Sequence, residues 1–260
     1  MGVKIVITAH NAIPHDSGDR YIRIYSKLYI TADRVITLSE YVKKQVLKLS
    51  PQVQDKIIVI SHGDVSFVFN QVKHLSGIEY DKPVIAFSGS ISPYKDLFFL
   101  LDVFKIVLKK VDAYLLIQGY ANEPVDKYMD YAKKIETFDN ILWHIGYLQI
   151  QEMYPLLKNV KLFVFPYKQA TQSGAVIMAF TLGKPVVIRP RGGLPEMIID
   201  GKDGFIAETK EKMAEKIIDL LTNENKYLEM VSFIQTSRKK LNDWNYLCDK
   251  TRDLYQELMK

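Results

Sequence analysis

Short apolar runs alternate along the chain with longer segments of helical periodicity. The runs are rich in valine and isoleucine and have polar edges, which is typical of buried parallel strands. The predicted strands are Val3–Thr8, Arg34–Leu38, Lys56–Ile60, Val84–Ser88, Tyr114–Gln118, Asn140–Trp143, Val160–Phe165 and Pro185–Ile188. The predicted helices are Tyr21–Ala32, Tyr41–Leu49, Leu97–Lys110, Pro124–Thr137, Gln151–Leu157, Ser173–Leu182 and Lys210–Thr222. This alternation indicates βαβ units and an α/β, doubly wound sheet.

The polar stretch Asp64–Pro83 breaks this periodicity and predicts a boundary between two α/β units. We expect a partial N-terminal domain over residues 1–65, a linker over 66–82, a complete Rossmann-like domain over 83–241 and a closing C-terminal helix over 242–260. The first part has too few strands for a full Rossmann-like domain. It should therefore expose a strand edge beside Val3–Thr8 and an apolar face. We expect inefficient activity from this chain alone, with three outcomes open: a separate chain completes the domain, the chain self-associates through that edge, or it is a broken gene product.

Composition is that of a soluble globular protein with a sizeable core, since 48% of the 260 residues are hydrophobic and 25% are charged. The sequence has no apolar run of the roughly 18 residues that a membrane span needs. A single cysteine, Cys248, excludes an internal disulfide. It fits a reducing compartment, so we expect a cytoplasmic location.

The net charge of +5 is mildly basic and dispersed, well short of a nucleic-acid-binding tail. The basic residues on predicted helices fit solvated helix faces. They also fit attraction to phosphate-bearing ligands or to an anionic membrane surface, which would place the protein at the inner face of a membrane. Charge alone does not separate these alternatives.

A polar loop follows the strand that ends near Phe165 and leads into a helix of small residues beginning near Ser173. The free N–H groups and the positive dipole end of such a helix make an anion site suited to a diphosphate. Gly174 would allow close approach, while Gln172 and Ser173 would add polar side chains. The alternative is a plain N-cap by Thr171 or Ser173 that needs no ligand. Dinucleotide and P-loop glycine motifs are absent from the sequence, and its histidines and cysteine show no metal-ligand spacing, so we expect neither a metal nor a cofactor.

Three motifs lie in and after this loop, and their order and spacing are more specific than any one of them alone. They are Pro166-Tyr-x-x-Ala-Thr-Gln-Ser-Gly174, Gly183-Lys-Pro-Val-Val187 and Gly192-Gly-Leu-Pro-Glu196. Together they resemble the donor-site region of family-four (group 1) GT-B glycosyltransferases. Further segments resemble that family in the same order: Thr8–Asn11 with Pro14-His15, Ala32–Glu40, Ala86–Lys95, Tyr114–Gly119, His144–Leu148, Gly201–Phe205 and Trp244–Tyr255.

The resemblance implies a GT-B fold of two Rossmann-like domains. It also implies transfer of a sugar from a UDP- or GDP-type nucleotide sugar to an acceptor, usually with retention and without a metal. Carried over by position, His10 would be catalytic and would face the donor sugar. Lys95 would contact the donor phosphates, Gln172, Ser173 and Gly174 would cradle the diphosphate, and Tyr147 and Leu148 would hold the base. The remaining donor-binding positions would be Gly89, Ser90, Gly119 and Glu196.

Several positions depart from the family pattern. Ala170 and Met178 occupy the places of two glutamates, the second of which binds the ribose, and Ser90 or Ser92 replaces an arginine. The leading hypothesis is a glycosyltransferase acting on a glycan or lipid-linked acceptor. A non-catalytic donor-binding subunit, or a truncated remnant that needs a partner chain, is the second hypothesis. A nucleotide-sugar epimerase is the third, with His10, His15 and Glu196 as its candidate acid and base groups.

Overall fold

The computed structural model describes residues 3–13, 19–238 and 243–260. Pro14 and His15, which contribute to the resemblance, lie outside the described residues. The chain divides into a first unit, Met1–Gly63 with Asn242–Lys260, and a second unit, Asp64–Leu241. The C-terminal helix, which the sequence predicts as a separate closing element, therefore groups with the N-terminal unit.

The first unit is built on a parallel sheet in the order β1-β2-β3, with β1 at one edge. Its strands are β1 (Val6–Ala9), β2 (Arg34–Thr37) and β3 (Ile57–Val59). Its helices are α1 (Asp19–Thr31), α2 (Glu40–Leu49) and the C-terminal helix (Trp244–Leu258), with a 3-10 turn at Pro51–Lys56.

Alternating side chains of β2 point to opposite faces of this sheet. Val35 packs with Val42 and Val46 of α2, whereas Ile36 packs with Leu247 and Leu254 of the C-terminal helix. Each face therefore has its own apolar cluster. Helix α1 nevertheless carries exposed apolar side chains, namely Tyr21, Ile22, Ile24, Leu28 and Ile30.

The second unit is built on a six-stranded parallel sheet in the order β6-β5-β4-β7-β8-β9. Its strands are β4 (Val84–Ser88), β5 (Tyr114–Gly119), β6 (Ile141–Ile145), β7 (Leu162–Phe165), β8 (Val186–Ile188) and β9 (Gly204–Ile206). Its helices are α3 (Ser66–Phe69), α4 (Leu97–Leu108), α5 (Asp126–Lys134), α6 (Ile150–Lys158), α7 (Gly174–Thr181), α8 (Lys210–Thr222) and α9 (Glu224–Phe233), and we number the C-terminal helix α10. Short 3-10 turns lie at Pro93–Lys95, Phe138–Asn140 and Leu194–Met197, and a π-helical turn lies at Ile234–Arg238.

One large apolar core holds the second unit together, with β4, β5 and β7 fully or almost fully buried. Two differences from the sequence prediction concern this unit. Residues 66–82, predicted as a linker, begin with α3 and lie within it, because Phe69 and Val72 pack into its core. The short strand β9 and the helix α9 have no counterpart among the predicted elements.

Candidate functional site

The strand order of the second unit reverses between β4 and β7. These two strands are neighbours, and the chain runs outward from β4 through β5 and β6, then from β7 through β8 and β9. Open α/β sheets bind ligands outside the carboxyl ends of their strands at such a switch point. The loops after β4 and β7 therefore mark the candidate site.

Glycines at the strand ends bring the backbone of adjacent loops together. The Gly89 N–H donates to the Gln118 carbonyl at 3.0 Å, and the Gly146 N–H donates to the Gly119 carbonyl at 3.0 Å. Gly119 has φ 154°, and a Cβ placed there would lie 1.9 Å from the Gly89 carbonyl oxygen. Only glycine fits at this position, so the floor of the site depends on it.

Lys95 ends the 3-10 turn after β4, and its side chain is buried, with 7% of the residue exposed. Its Nζ donates to the Tyr167 hydroxyl at 3.2 Å and lies 4.8 Å from the centre of that ring. The rings of Phe87 and Tyr94 lie within about 6 Å of the same Nζ. Burial lowers the pKa of Lys95 from 10.5 to about 8. Within the described residues, no carboxylate forms an ion pair with this ammonium group.

Helix α7 begins at Gly174, directly after the loop that follows β7. Ser173 occupies the N-cap position, yet its side chain makes no capping hydrogen bond. Burial raises the pKa of the nearby Tyr167 phenol. The capping alternative for Ser173 is therefore not what the structure shows. The Val176 N–H donates to the Ser173 carbonyl at 3.1 Å. The N–H groups of Gly174 and Ala175 precede this bond, have no intrahelical carbonyl partner and are available to an anion.

The Gly192-Gly193 turn packs against the same loop. A Cβ at Gly192 would lie 1.7 Å from the Ala170 carbonyl oxygen, and the Gly193 N–H donates to that oxygen at 2.9 Å. The backbone N–H of Ser173 in turn contacts the Met197 sulfur at 3.3 Å. These contacts hold the loop before α7 in place.

A cavity of about 390 Å³ opens at these strand ends. Six of the predicted donor-binding residues line it: Gly89, Ser90, Gly119, Tyr147, Leu148 and Gly174. Lys95 adjoins it, since its Nζ lies 2.7 Å from where a Gly89 Cβ would be. Gln172 and Ser173 lie on the loop leading to Gly174, while Glu196 is exposed on the 3-10 turn after β8.

His10 belongs to the first unit and follows β1. It lines a separate apolar groove of about 550 Å³ between the sheet and α10, together with His62, Trp244 and Cys248. The Tyr29 hydroxyl donates to the Ala12 carbonyl at 2.7 Å and so anchors the loop that carries His10. Both His10 and Cys248 are exposed.

Two groups near Lys95 were not assigned a role from the sequence. Tyr167 lies inside the motif that runs from Pro166 to Gly174, and its position at the end of a strand is the sequence feature that could have indicated a role in the site. Asp96 follows Lys95 in the chain, and its Oδ2 accepts a hydrogen bond from Arg189 Nη1 at 2.9 Å. Its Oδ1 forms an ion pair with Lys168 Nζ at 3.3 Å. Nothing local in the sequence indicates that Asp96 and Arg189 meet, because they are 93 positions apart.

Comparison with known proteins identifies the family. The family described as "Glycosyl transferases group 1" matches residues 82–223, which is more than half of the chain. The chain belongs to this glycosyltransferase family. Within the described residues, none of the helices is both long and apolar enough to cross a membrane.

Individual relatives have low sequence identity to this chain but align with most of its length. An uncharacterized glycosyltransferase of Methanocaldococcus jannaschii is 26% identical over 99% of this chain and 70% of its own length. A probable sucrose-phosphate synthase of Thermosipho melanesiensis is 22% identical over 82% of this chain and 51% of its own length. The chain thus spans only about half of some of the relatives that it matches.

Solved structures share the fold. A glycosyltransferase from Rickettsia africae aligns with a TM-score of 0.77 and 17% identity, over 98% of this chain and 70% of that one. Anabaena HepE in complex with UDP aligns with a TM-score of 0.79 and 16% identity, over 98% of this chain and 72% of that one. The fold is therefore GT-B-like, with Rossmann-like α/β units.

Proposed function

We propose that this chain binds a nucleoside diphosphate sugar at the strand ends of the second unit and transfers the sugar to a glycan or lipid-linked acceptor. The observation that carries the proposal is the buried Lys95. Its ammonium group has no carboxylate to neutralise it among the described residues, and it lies beside Gly89 at the switch point. Burial of an unpaired charge is costly. A diphosphate bound there would supply the missing negative charge.

The chemistry follows from that charge. When the bond between the sugar and the diphosphate breaks, negative charge develops on the departing nucleoside diphosphate. Lys95 and the N–H groups at the start of α7 would stabilise it, as preorganised donors do in other transferases. The acceptor hydroxyl then forms the new bond to the sugar carbon and gives its proton to an oxygen of the departing diphosphate. We propose a reaction with retention of configuration and without a metal.

The remaining assignments rest on the resemblance and on placement. Tyr147 and Leu148 line the cavity beyond Gly146, where they would contact the base. Gln172, Ser173 and Gly174 would hold the diphosphate. His10 is proposed as a catalytic residue, supported by its position after the carboxyl end of β1. Glu196 is proposed as a donor contact on the strength of its motif alone.

A second candidate is a donor-binding subunit without activity of its own. It is favoured by Met178, which lines the cavity where the family's ribose-binding glutamate would stand. It is also consistent with the open edge at β1, against which another chain or a second copy could add a strand.

The test is to incubate the purified chain with UDP- and GDP-sugars and a membrane lipid extract, and to measure free nucleotide and labelled product. The assay is repeated with the product of any adjacent reading frame added. Nucleotide release that depends on acceptor supports a transferase. Tight donor binding without turnover supports the subunit, and absence of binding to every nucleotide sugar contradicts both.

A further inference from the structure

The cavity at the strand ends of the second unit has unusual walls for a nucleotide site. Its described lining contains neither aspartate nor glutamate. Part of the lining forms an apolar wall, which consists of Val65, Val68, Phe69, Ile150, Met153 and Met178. The hydroxyl groups of a ribose would therefore find no carboxylate there.

The position of the ribose follows if the diphosphate binds as proposed above, and this inference rests on that function. The ribose is joined directly to the diphosphate through its 5′ oxygen. Residues four apart lie on one face of a helix, so Met178 lies one turn beyond Gly174, on the face that Gly174 presents to the cavity. Met178 is 9% exposed, and its thioether is only a weak acceptor.

The other polar side chains of the lining offer little to a ribose. The Ser88 hydroxyl donates to Gln118 Oε1 at 2.6 Å, and both residues are buried, so the Ser88 hydroxyl proton and the Gln118 amide oxygen are already paired. Ser90 follows Gly89 at the phosphate end. Tyr120 and Tyr147 are 58% and 77% exposed, so they can reach a ligand only from the rim.

We propose that the site makes no hydrogen bond to the ribose 2′-hydroxyl, and that its donors include 2′-deoxyribonucleoside diphosphate sugars. A site built to hydrogen-bond a hydroxyl rejects the analogue lacking it by about four orders of magnitude, because its own polar groups are left unpaired. An apolar wall has no such group to leave unpaired.

The experiment compares matched pairs that differ only at the 2′ position: UDP with dUDP, and GDP with dGDP. For the pair that binds, calorimetry should give dissociation constants within about threefold of each other. This difference in affinity is smaller than the one that a single hydrogen bond to a charged group provides. A larger preference for the ribonucleotide overturns this inference and leaves the proposed function standing. If no member of either pair binds, the proposed function fails as well.

A pair of variants tests the role of the wall. Met178→Gln introduces an amide acceptor of similar length, and we expect it to create a preference for UDP over dUDP of about threefold or more, roughly the value of one hydrogen bond. Met153→Gln places the same group on α6 in the lining of the same cavity, and it should leave the ratio near unity because the ribose is proposed to lie against α7. An unchanged ratio in folded Met178→Gln, checked by circular dichroism, would show that the ribose lies elsewhere.

Discussion

Raising the pH through the pKa of Lys95 should weaken nucleoside diphosphate binding. Burial lowers this pKa from 10.5 to about 8. At about 1.4 kcal/mol per tenfold change, keeping the ammonium charged at neutral pH costs about 3 kcal/mol relative to an exposed lysine. A diphosphate bound beside Nζ favours the charged form and raises the pKa again.

The sign of the effect follows from proton uptake. Below pH 8 the lysine is charged in both the free and the bound protein, so affinity should not depend on pH. Above it, the free site must take up a proton to bind, and affinity falls by up to about tenfold per pH unit. If the bound state restores the ordinary lysine pKa, the total loss approaches about two orders of magnitude.

Calorimetry near pH 9 in two buffers of different ionisation enthalpy measures the number of protons taken up on binding. We expect close to one proton for each nucleotide bound. Lys95→Arg should bind with a flat pH profile, because arginine stays charged throughout. Lys95→Ala should bind about 1.5–3 kcal/mol more weakly at neutral pH. Wild-type affinity that is constant from neutral pH to about pH 9.5, without proton uptake, would refute the assignment of Lys95 to the phosphates.

Two further predictions concern stability. Between pH 8 and 10.5 the unfolded chain binds more protons at Lys95 than the folded chain does. The free energy of unfolding of the wild type should therefore rise with pH across this window relative to that of Lys95→Met. If the two proteins show the same dependence of unfolding free energy on pH, the burial argument is contradicted. Gly119→Ala should lose more than about 2 kcal/mol in denaturant unfolding, since its Cβ would overlap the Gly89 carbonyl oxygen. Gly201→Ala is the matched control: φ is 77° there but nothing lies within 4 Å, so only the left-handed backbone penalty of about 1–2 kcal/mol applies. Equal losses at the two glycines would show that the backbone at Gly119 relaxes.

Strands that are buried on both faces were predictable from the sequence. The run Val84–Ser88 is apolar, is bounded by Pro83 and Gly89, and forms β4 with the predicted ends. β9 was missed because it is three residues long and begins with Gly204, a weak strand former. Its hydrogen-bond partner is β8, and the paired residues Val186 and Gly204 are 18 positions apart, so tertiary pairing rather than local propensity creates β9.

The parts of the candidate site that are formed by residues close together in the sequence were predictable. The loop leading into α7 and the break at Gly183 are visible in the sequence, and α7 starts one residue from the predicted position. The environment of Lys95 was not predictable. Tyr167 is 72 positions away, and it reaches Nζ only because β4 and β7 are neighbours in the sheet. Sequence spacing therefore suggests a phosphate-binding lysine, but it does not show that the lysine is buried and lacks a carboxylate partner.

The ion pair that follows Lys95 in the chain yields the last prediction. Asp96 has φ 55° and its side chain is 10% exposed, while Arg189 is 14% exposed and stacks 4.2 Å from the centre of the Phe99 ring. Removing one partner of a buried pair leaves an uncompensated charge and typically costs about 3–5 kcal/mol.

We therefore expect Arg189→Met to destabilise the protein by about 3 kcal/mol, measured by denaturant unfolding, and to weaken nucleotide binding because Asp96 no longer fixes the turn that carries Lys95. Adding Asp96→Asn to that variant should restore much of the loss, since the carboxylate, left with only the exposed Lys168 as its partner, is then removed and asparagine tolerates the left-handed backbone. Lys168→Met is the control: it removes a cation that pairs with the same carboxylate but is 57% exposed, so it should cost less than about 1 kcal/mol. If the double variant is no more stable than Arg189→Met alone, Arg189 acts through its packing on Phe99 rather than through Asp96.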